Sequence, residues 1–169
     1  MHPLVKLAKD TIGLYVREKK VLAVRDVDLV PEMKGSAGVF VSLKVNGMLR
    51  GCIGTFQPCG KNVADEIVQN AISAATRDPR FSPVRPDELE RLEYSVDVLS
   101  APEQIQNVTE LDPRRYGVIV QAGRRRGLLL PDLEGIDTAE EQVAIASQKA
   151  GIAPGMQVTL SRFEVKRYH

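Results

Sequence analysis

Asn46-Gly47 stands between two apolar runs, Gly38-Val-Phe-Val-Ser-Leu-Lys-Val45 and Met48 to Phe56. A two-residue type I′ turn needs positive φ at both central residues, and Asn-Gly tolerates this well, so the segment predicts a β-hairpin. What faces each residue of the second strand depends on the loop. With Asn46-Gly47 as a two-residue loop, Leu43 faces Arg50 and Val41 faces Cys52. With a three-residue loop, Lys44 faces Arg50 and Ser42 faces Cys52, because a one-residue slip exchanges the faces. The first register sets Cys52 among core residues; the second gives it polar, electropositive surroundings that favour thiolate.

Other elements follow from spacing and caps. Leu4, Leu7, Ala8, Ile12 and Tyr15 recur at helical spacing and predict an amphipathic helix over 3–18. Residues 21–34 read as an irregular crossing. Asn62 can cap a helix whose apolar stripe is Val63, Ile67, Val68, Ala71, Ile72 and Ala75, with Asp65, Glu66, Gln69, Asn70 and Ser73 opposite. Asp78 precedes Pro79, which ends that helix near Arg77. A helical turn at 87–92 and a strand at 94–99 come next, the strand with Tyr94, Val96 and Val98 on one face. Residues 117–120 and 127–130 form a second hairpin across 121–126. Thr138 and Glu141 predict a capping box for a helix to Ala150, Gly151 a C-terminal cap, and 158–165 a closing strand. No internal repeat is visible. The mixture of hairpins and helices predicts an α+β fold with mixed or antiparallel sheets and flanking helices.

At 169 residues the chain is sized for one domain, 1–169, with room for two small lobes, and 43% hydrophobic residues are enough for a core without disulfides or metal. Lysine plus arginine number 23 against 22 acidic residues, a balance that argues against a coat for nucleic acid or anionic membrane. The two histidines, His2 and His169, exclude an internal catalytic histidine and with it the Ser-His-Asp and Cys-His arrangements. Two cysteines, Cys52 and Cys59, supply neither a disulfide framework nor a zinc set, and no metal site is expected. Lys6, Lys9 and Asp10 interrupt the N-terminus, which therefore lacks the apolar stretch of a secretion signal, and no run approaches a membrane span; a reducing cytoplasmic setting is expected.

The densest segment is Leu49-Arg-Gly-Cys-Ile-Gly-Thr55. Glycine inside a strand weakens it, so Gly51 and Gly54 call for a bulge, a bend or a close approach by backbone or ligand. Cys52 is a candidate nucleophile or acid–base group and Arg50 a candidate holder of an anionic substrate. Core packing is the commoner role of a lone cysteine. Gly51, Gly54, Thr55, Asp78 and Arg80 are candidate ligand or partner contacts. In Arg77-Asp-Pro-Arg-Phe-Ser-Pro83 two arginines flank a helix end and can bind an anion, while the structural alternative has Asp78 and Arg80 brace the loop and Phe81 plug the core. Arg124-Arg-Arg126 reads as a solvated hairpin tip before it reads as a phosphate site.

Leu49-Arg-Gly-Cys-Ile-Gly54 resembles the signature of the AMMECR family, whose prokaryotic members are called AmmeMemoRadiSam system protein A. The similarity continues through Ala75-Thr-Arg-Asp-Pro-Arg-Phe-Ser-Pro83, Ser95-Val-Asp-Val-Leu-Ser100, Gly117-Val-Ile-Val120, Leu128-Leu-Leu-Pro131 and Lys149-Ala-Gly151. The resemblance implies two unequal lobes with the hexapeptide near the cleft between them, and work alongside a Memo-like protein and a radical S-adenosylmethionine protein. It implies no reaction and identifies no cofactor. The expectation is a ligand-binding or catalytic cleft around the hexapeptide; the alternative is a non-catalytic interaction module, with nucleic-acid binding a distant third.

Overall fold

Proline at the first helical position needs no hydrogen-bonded N–H, and the His2 imidazole accepts the Leu4 N–H at 3.3 Å, so the chain opens directly into helix α1, Pro3–Glu18. Leu4, Val5, Ala8, Ile12 and Val16 form its buried stripe, and Lys19 ends it in a left-handed conformation. The crossing expected at 21–34 contains one 3-10 turn and a single helical turn, α2, Pro31–Lys34. The computed structural model describes residues 1–169. They divide into two compact units of unequal length, Met1–Leu99 with Lys166–His169, and Ser100–Val165. Both are antiparallel hairpins and further strands with helices, the α+β architecture expected.

In the first unit β1 (Val39–Val45) and β2 (Met48–Thr55) turn through Asn46 and Gly47, whose φ values are 52° and 75°. The turn is the two-residue one, yet the register beyond it belongs to the other alternative. Lys44 pairs with Leu49, Leu43 pairs with Gly51, and Ser42 faces Cys52. Arg50 is an extra residue, a β-bulge opposed by nothing on β1, and it shifts everything after it by one. A third strand, β3 (Glu93–Leu99), runs antiparallel on the other side of β1, and β8 (Val165–Tyr168) lies beside β3, giving the order β2-β1-β3-β8.

Helix α3, Val63–Thr76, is capped as expected, with the Asn62 side chain accepting the Asp65 N–H at 2.9 Å. It packs with α1 over Val39, Val41, Leu43, Ile53, Tyr94, Val96 and Val98, so the face expected for the last three residues is the core face. Glu66 and Asn70, expected opposite the apolar stripe, are buried instead. They are polar groups with internal partners: Asn70 donates to the Val39 carbonyl at 3.0 Å, and Glu66 accepts the backbone N–H groups of Cys59 and Gly60.

In the second unit β5 (Gly117–Ala122) and β6 (Arg125–Leu129) extend further toward the turn than expected, β6 stops at Leu129, and only Gly123-Arg124 turns the chain. Helix α4, Ala139–Lys149, starts at Thr138, whose hydroxyl oxygen accepts the Glu141 N–H at 3.1 Å. Gly151, with φ 70°, follows its end. The strand expected at 158–165 is two: β7 (Thr159–Phe163) and β8, separated at Glu164, whose N–H turns to the Ser100 hydroxyl at 2.8 Å. A short strand missed from sequence, β4 (Glu103–Ile105), completes the order β4-β7-β5-β6.

The two units repeat one arrangement that the residues conceal. In each, a hairpin is followed by a helix, and the next long strand pairs with the hairpin's first strand: β1-β2-α3-β3 and β5-β6-α4-β7. The register makes Leu43, Gly51 and Tyr94 equivalent to Val120, Gly127 and Leu160.

Candidate functional site

The face of the first sheet turned away from α1 and α3 carries alternate residues of each strand. One cross-strand row is Cys52, Ser42 and Ser95; the next is Gly54, Phe40 and Asp97. The equivalent of the first row in the second unit is Leu128, Ile119 and Ser161. The first unit thus presents a thiol and two hydroxyls where the second presents two aliphatic chains and one hydroxyl.

Cys52 is half-buried, and the Ser42 hydroxyl lies 3.2 Å from its sulfur. Burial pushes the thiol pKa up; the hydrogen bond from Ser42 and the charge of Arg80 oppose that rise, while the Asp97 and Asp78 carboxylates add to it. The register that was to favour thiolate therefore yields a thiol protonated at neutral pH, because desolvation and two carboxylates outweigh one hydroxyl and one guanidinium.

Because β2 is an edge strand, the main-chain groups of Cys52 point outward with no strand to pair them. The loop after α3 supplies the partners. The Asp78 carboxylate accepts the Cys52 N–H at 3.0 Å and Arg80 Nη2 donates to the Cys52 carbonyl at 3.4 Å. Asp78 also accepts from the Arg80 backbone N–H, Nε and Nη2 at 3.0, 3.1 and 2.8 Å. The side-chain bonds from Arg80 hold the Asp78 carboxyl far below the usual carboxylate range. The pair is asymmetric: the Asp78 side chain is 2% exposed and that of Arg80 56%. A buried carboxylate therefore anchors a guanidinium that remains open to solvent. A second pair repeats the pattern, with Arg167 of β8 gripping Asp97 at 2.7 and 2.8 Å.

Arg50 is differently placed. Its Nε and Nη2 bond the two Glu88 oxygens at 2.9 and 3.1 Å, and the two side chains are only 15% and 16% exposed. Arg50 holds the Glu88 pKa down, and Glu88 also accepts the Arg85 backbone N–H at the start of a 3-10 turn, Pro86–Arg91. Phe81, expected in the core, is half-buried between two cations: the guanidinium carbons of Arg50 and Arg80 lie 6.0 and 5.6 Å from its ring centre.

The remaining candidates divide between the faces. Gly54 shares the face of Cys52, where a Cβ would overlap the Phe40 ring. Gly51 faces α3, and a Cβ there would overlap the Ala74 carbonyl oxygen. Thr55 also faces α3: its hydroxyl donates to Glu66 at 2.6 Å and accepts from Asn70 at 3.2 Å. The structure thus gathers Cys52, Asp78 and Arg80, links Arg50 to them through Phe81, and turns Gly51 and Thr55 the other way. Ser42, Ser95, Asp97 and Glu88 join the site without having been singled out as site residues. The alternation in Ser95-Val-Asp97 carries a signal for two of them, since both must lie opposite Val96. No group of three or more His, Cys, Asp or Glu side chains is placed to hold a metal ion. Arg125 and Arg126 of the basic run are engaged by the Gly151 carbonyl and the Gln121 side chain. No helix is long and apolar enough to cross a membrane.

The model of the AMMECR1 family matches residues 5–169. A protein of Thermotoga maritima is 54% identical, with 99% of this chain and 97% of the relative aligned. Protein CA_C1420 of Clostridium acetobutylicum is 47% identical over 98% of this chain, which spans 36% of that relative. The crystal structure of the uncharacterized protein PH0010 from Pyrococcus horikoshii matches with a TM-score of 0.87 at 33% identity, covering 97% of this chain and 88% of that one.

Proposed function

The chain belongs to the AMMECR1 family, and we propose that it binds a small anionic ligand on the face around Cys52, with Arg80 as the charge that attracts it. The observation that carries this reading is the asymmetry of the Asp78–Arg80 pair beside the row of Cys52, Ser42 and Ser95. A guanidinium fixed from behind by a buried carboxylate is pre-oriented at little further entropic cost, and its outer edge matches a carboxylate or phosphate. The hydroxyls and the thiol supply further polar contacts. Cys52 acts here as a neutral hydrogen-bonding group, since its raised pKa leaves little thiolate at pH 7. Arg50, with its fork on Glu88, is not the group that meets the ligand.

A pair of alkylating probes tests this on protein carrying Cys59→Ser. Iodoacetate is anionic and iodoacetamide neutral, so their rate ratio at Cys52, relative to free cysteine, reads the local charge. The expected ratio is about fivefold above that of free cysteine, corresponding to roughly 1 kcal/mol of attraction, and it falls in Arg80→Ala. The pH profile should give an apparent pKa above the ordinary thiol value of about 8.5. A ratio equal to that of free cysteine, or no reaction before unfolding, would overturn the reading.

The Clostridium relative supports a second reading, since there the matched region is one part of a longer protein. On that reading the same face docks a partner, and Memo-like and radical S-adenosylmethionine proteins are the partners proposed. Native pulldown with such proteins, lost in Arg80→Ala, is the expected result; no association would remove it.

A further inference from the structure

The two hairpins differ by a single residue. In the second unit Gly127 is the third residue after the Gly123-Arg124 turn and pairs with Val120 in an unbroken ladder. In the first unit Gly51 is the fourth after Asn46-Gly47, and it reaches the equivalent partner, Leu43, only because Arg50 is bulged out. If Arg50 were absent, the pairs Lys44 with Leu49 and Leu43 with Gly51 would be consecutive, which is the spacing of the second hairpin. The second hairpin shows that a strand of this arrangement brings its glycine under the helix without an extra residue. The bulge is therefore not required by the packing, and the other thing a bulge does is re-aim a side chain.

Its side chain is aimed at a relay. Glu88 grips the Arg50 fork at 2.9 and 3.1 Å, Arg50 lies over Phe81 with 6.0 Å to the ring centre, and Arg80 lies over the same ring with 5.6 Å. The Phe81 N–H bonds the Asp78 carbonyl at 3.1 Å, which ties the ring to the loop that caps Cys52. We infer that Arg50 is a positioning residue: the bulge sets a Glu88-held guanidinium against Phe81, and Phe81 fixes the direction in which Arg80 faces the Cys52 site. The inference rests on the reading of that face as an anion site. A role for Arg50 in holding the anion itself is disfavoured by its neutralising partner and its 15% exposure.

The test uses the full chain with Cys59→Ser, comparing deletion of Arg50, Arg50→Ala and Arg80→Ala by the iodoacetate-to-iodoacetamide rate ratio at Cys52. Deletion of Arg50 should leave a cooperative thermal transition, because it gives β2 the spacing of β6. In both Arg50 variants the ratio should fall about twofold, part of the way to the free-cysteine value reached in Arg80→Ala, because Asp78 still anchors the guanidinium. Arg50→Lys, which keeps a cation for Phe81 and Glu88, should retain the high ratio, whereas Arg50→Met, of similar length but without charge, should not, a split that side-chain bulk alone does not produce. If the ratio holds in both Arg50 variants but falls in Arg80→Ala, the positioning role is overturned and the anion site stands. If Arg80→Ala also leaves it unchanged, the site reading itself fails. If the deletion does not fold, the bulge belongs to the fold, and an unchanged ratio in Arg50→Ala would then overturn the relay as well.

Discussion

Gly51 in the first unit and Gly127 in the second do the same work. Each follows an arginine on the edge strand of a hairpin, and each lies where a Cβ would overlap a helix carbonyl, that of Ala74 or Ala146. What differs is the charge nearby. In the first unit Arg50, Arg80 and Arg167 hold carboxylates whose side chains are 16%, 2% and 3% exposed. In the second, Arg115 and Arg162 meet Glu164 and Glu103, exposed at 53% and 65%. Surface pairs of that kind contribute little, whereas a buried carboxylate must be compensated wherever it occurs. These two glycines thus report close helix packing in both units, and buried carboxylates distinguish the first unit from the second.

The sharpest way to break this equivalence is to add a methyl group to each glycine. Gly51→Ala and Gly127→Ala should each lose about 3 kcal/mol in urea unfolding, since the obstacle is backbone and cannot rotate away. Gly35→Ala, where a Cβ meets nothing within 4 Å, should change stability by less than about 0.5 kcal/mol. Tolerance of either strand substitution would mean that the two glycines do not play one role.

A smaller effect separates the carboxylates. Asp78→Ala leaves the Cys52 N–H without its acceptor and Arg80 without its anchor, and should cost about 2 kcal/mol. Glu164→Ala, in an exposed pair, should cost less than about 1 kcal/mol by the same urea measurement. Equal losses would erase the distinction between the units.

The smallest effect is in the pH dependence. Asp78 and Glu88 both titrate lower in the folded chain than in the unfolded one. Between those values the unfolded chain binds more protons, so their contribution is whole above pH values of about 4 to 5 and is lost as pH falls through the folded values. The urea midpoint should drop on acidification below about pH 4, less steeply in an Asp78→Asn, Glu88→Gln protein, and amide protection should fall in β2 before β6. An unaltered acid limb in the double variant would show that other groups carry it.

Local chemistry made much of this fold readable. Asn46-Gly47, Asn62, Thr138 and Gly151 each specify a backbone geometry by themselves, and each turn or cap is where its residue type demands. The register of β2 was not readable, because a bulge depends on what Arg50 meets 38 residues away at Glu88. Glu66 and Asn70 were misplaced for a related reason: a polar residue looks solvent-facing until the main-chain groups that satisfy it are known. The residues conceal the repeat because equivalent positions such as Cys52 and Leu128 share geometry and not chemistry. Cys52, Asp78 and Arg80, all candidates from the residues, lie together in the fold, but Arg50's partner and Asp97's burial come only from the fold.

The first unit closes with residues from the other end of the chain. Lys166–His169 belong to it; Arg167 neutralises Asp97, the His2 N–H bonds the His169 carbonyl at 3.3 Å, and the His2 and Tyr168 rings lie 4.3 Å apart. During synthesis, then, Ser100–Val165 must emerge before Asp97 can receive its cation. Until that moment β3 carries a carboxylate that has to stay hydrated, so the sheet face around Cys52 is among the last surfaces of the molecule to mature. Such a late, long-range closure means that the Asp97–Arg167 pair forms only after the second unit has been synthesised.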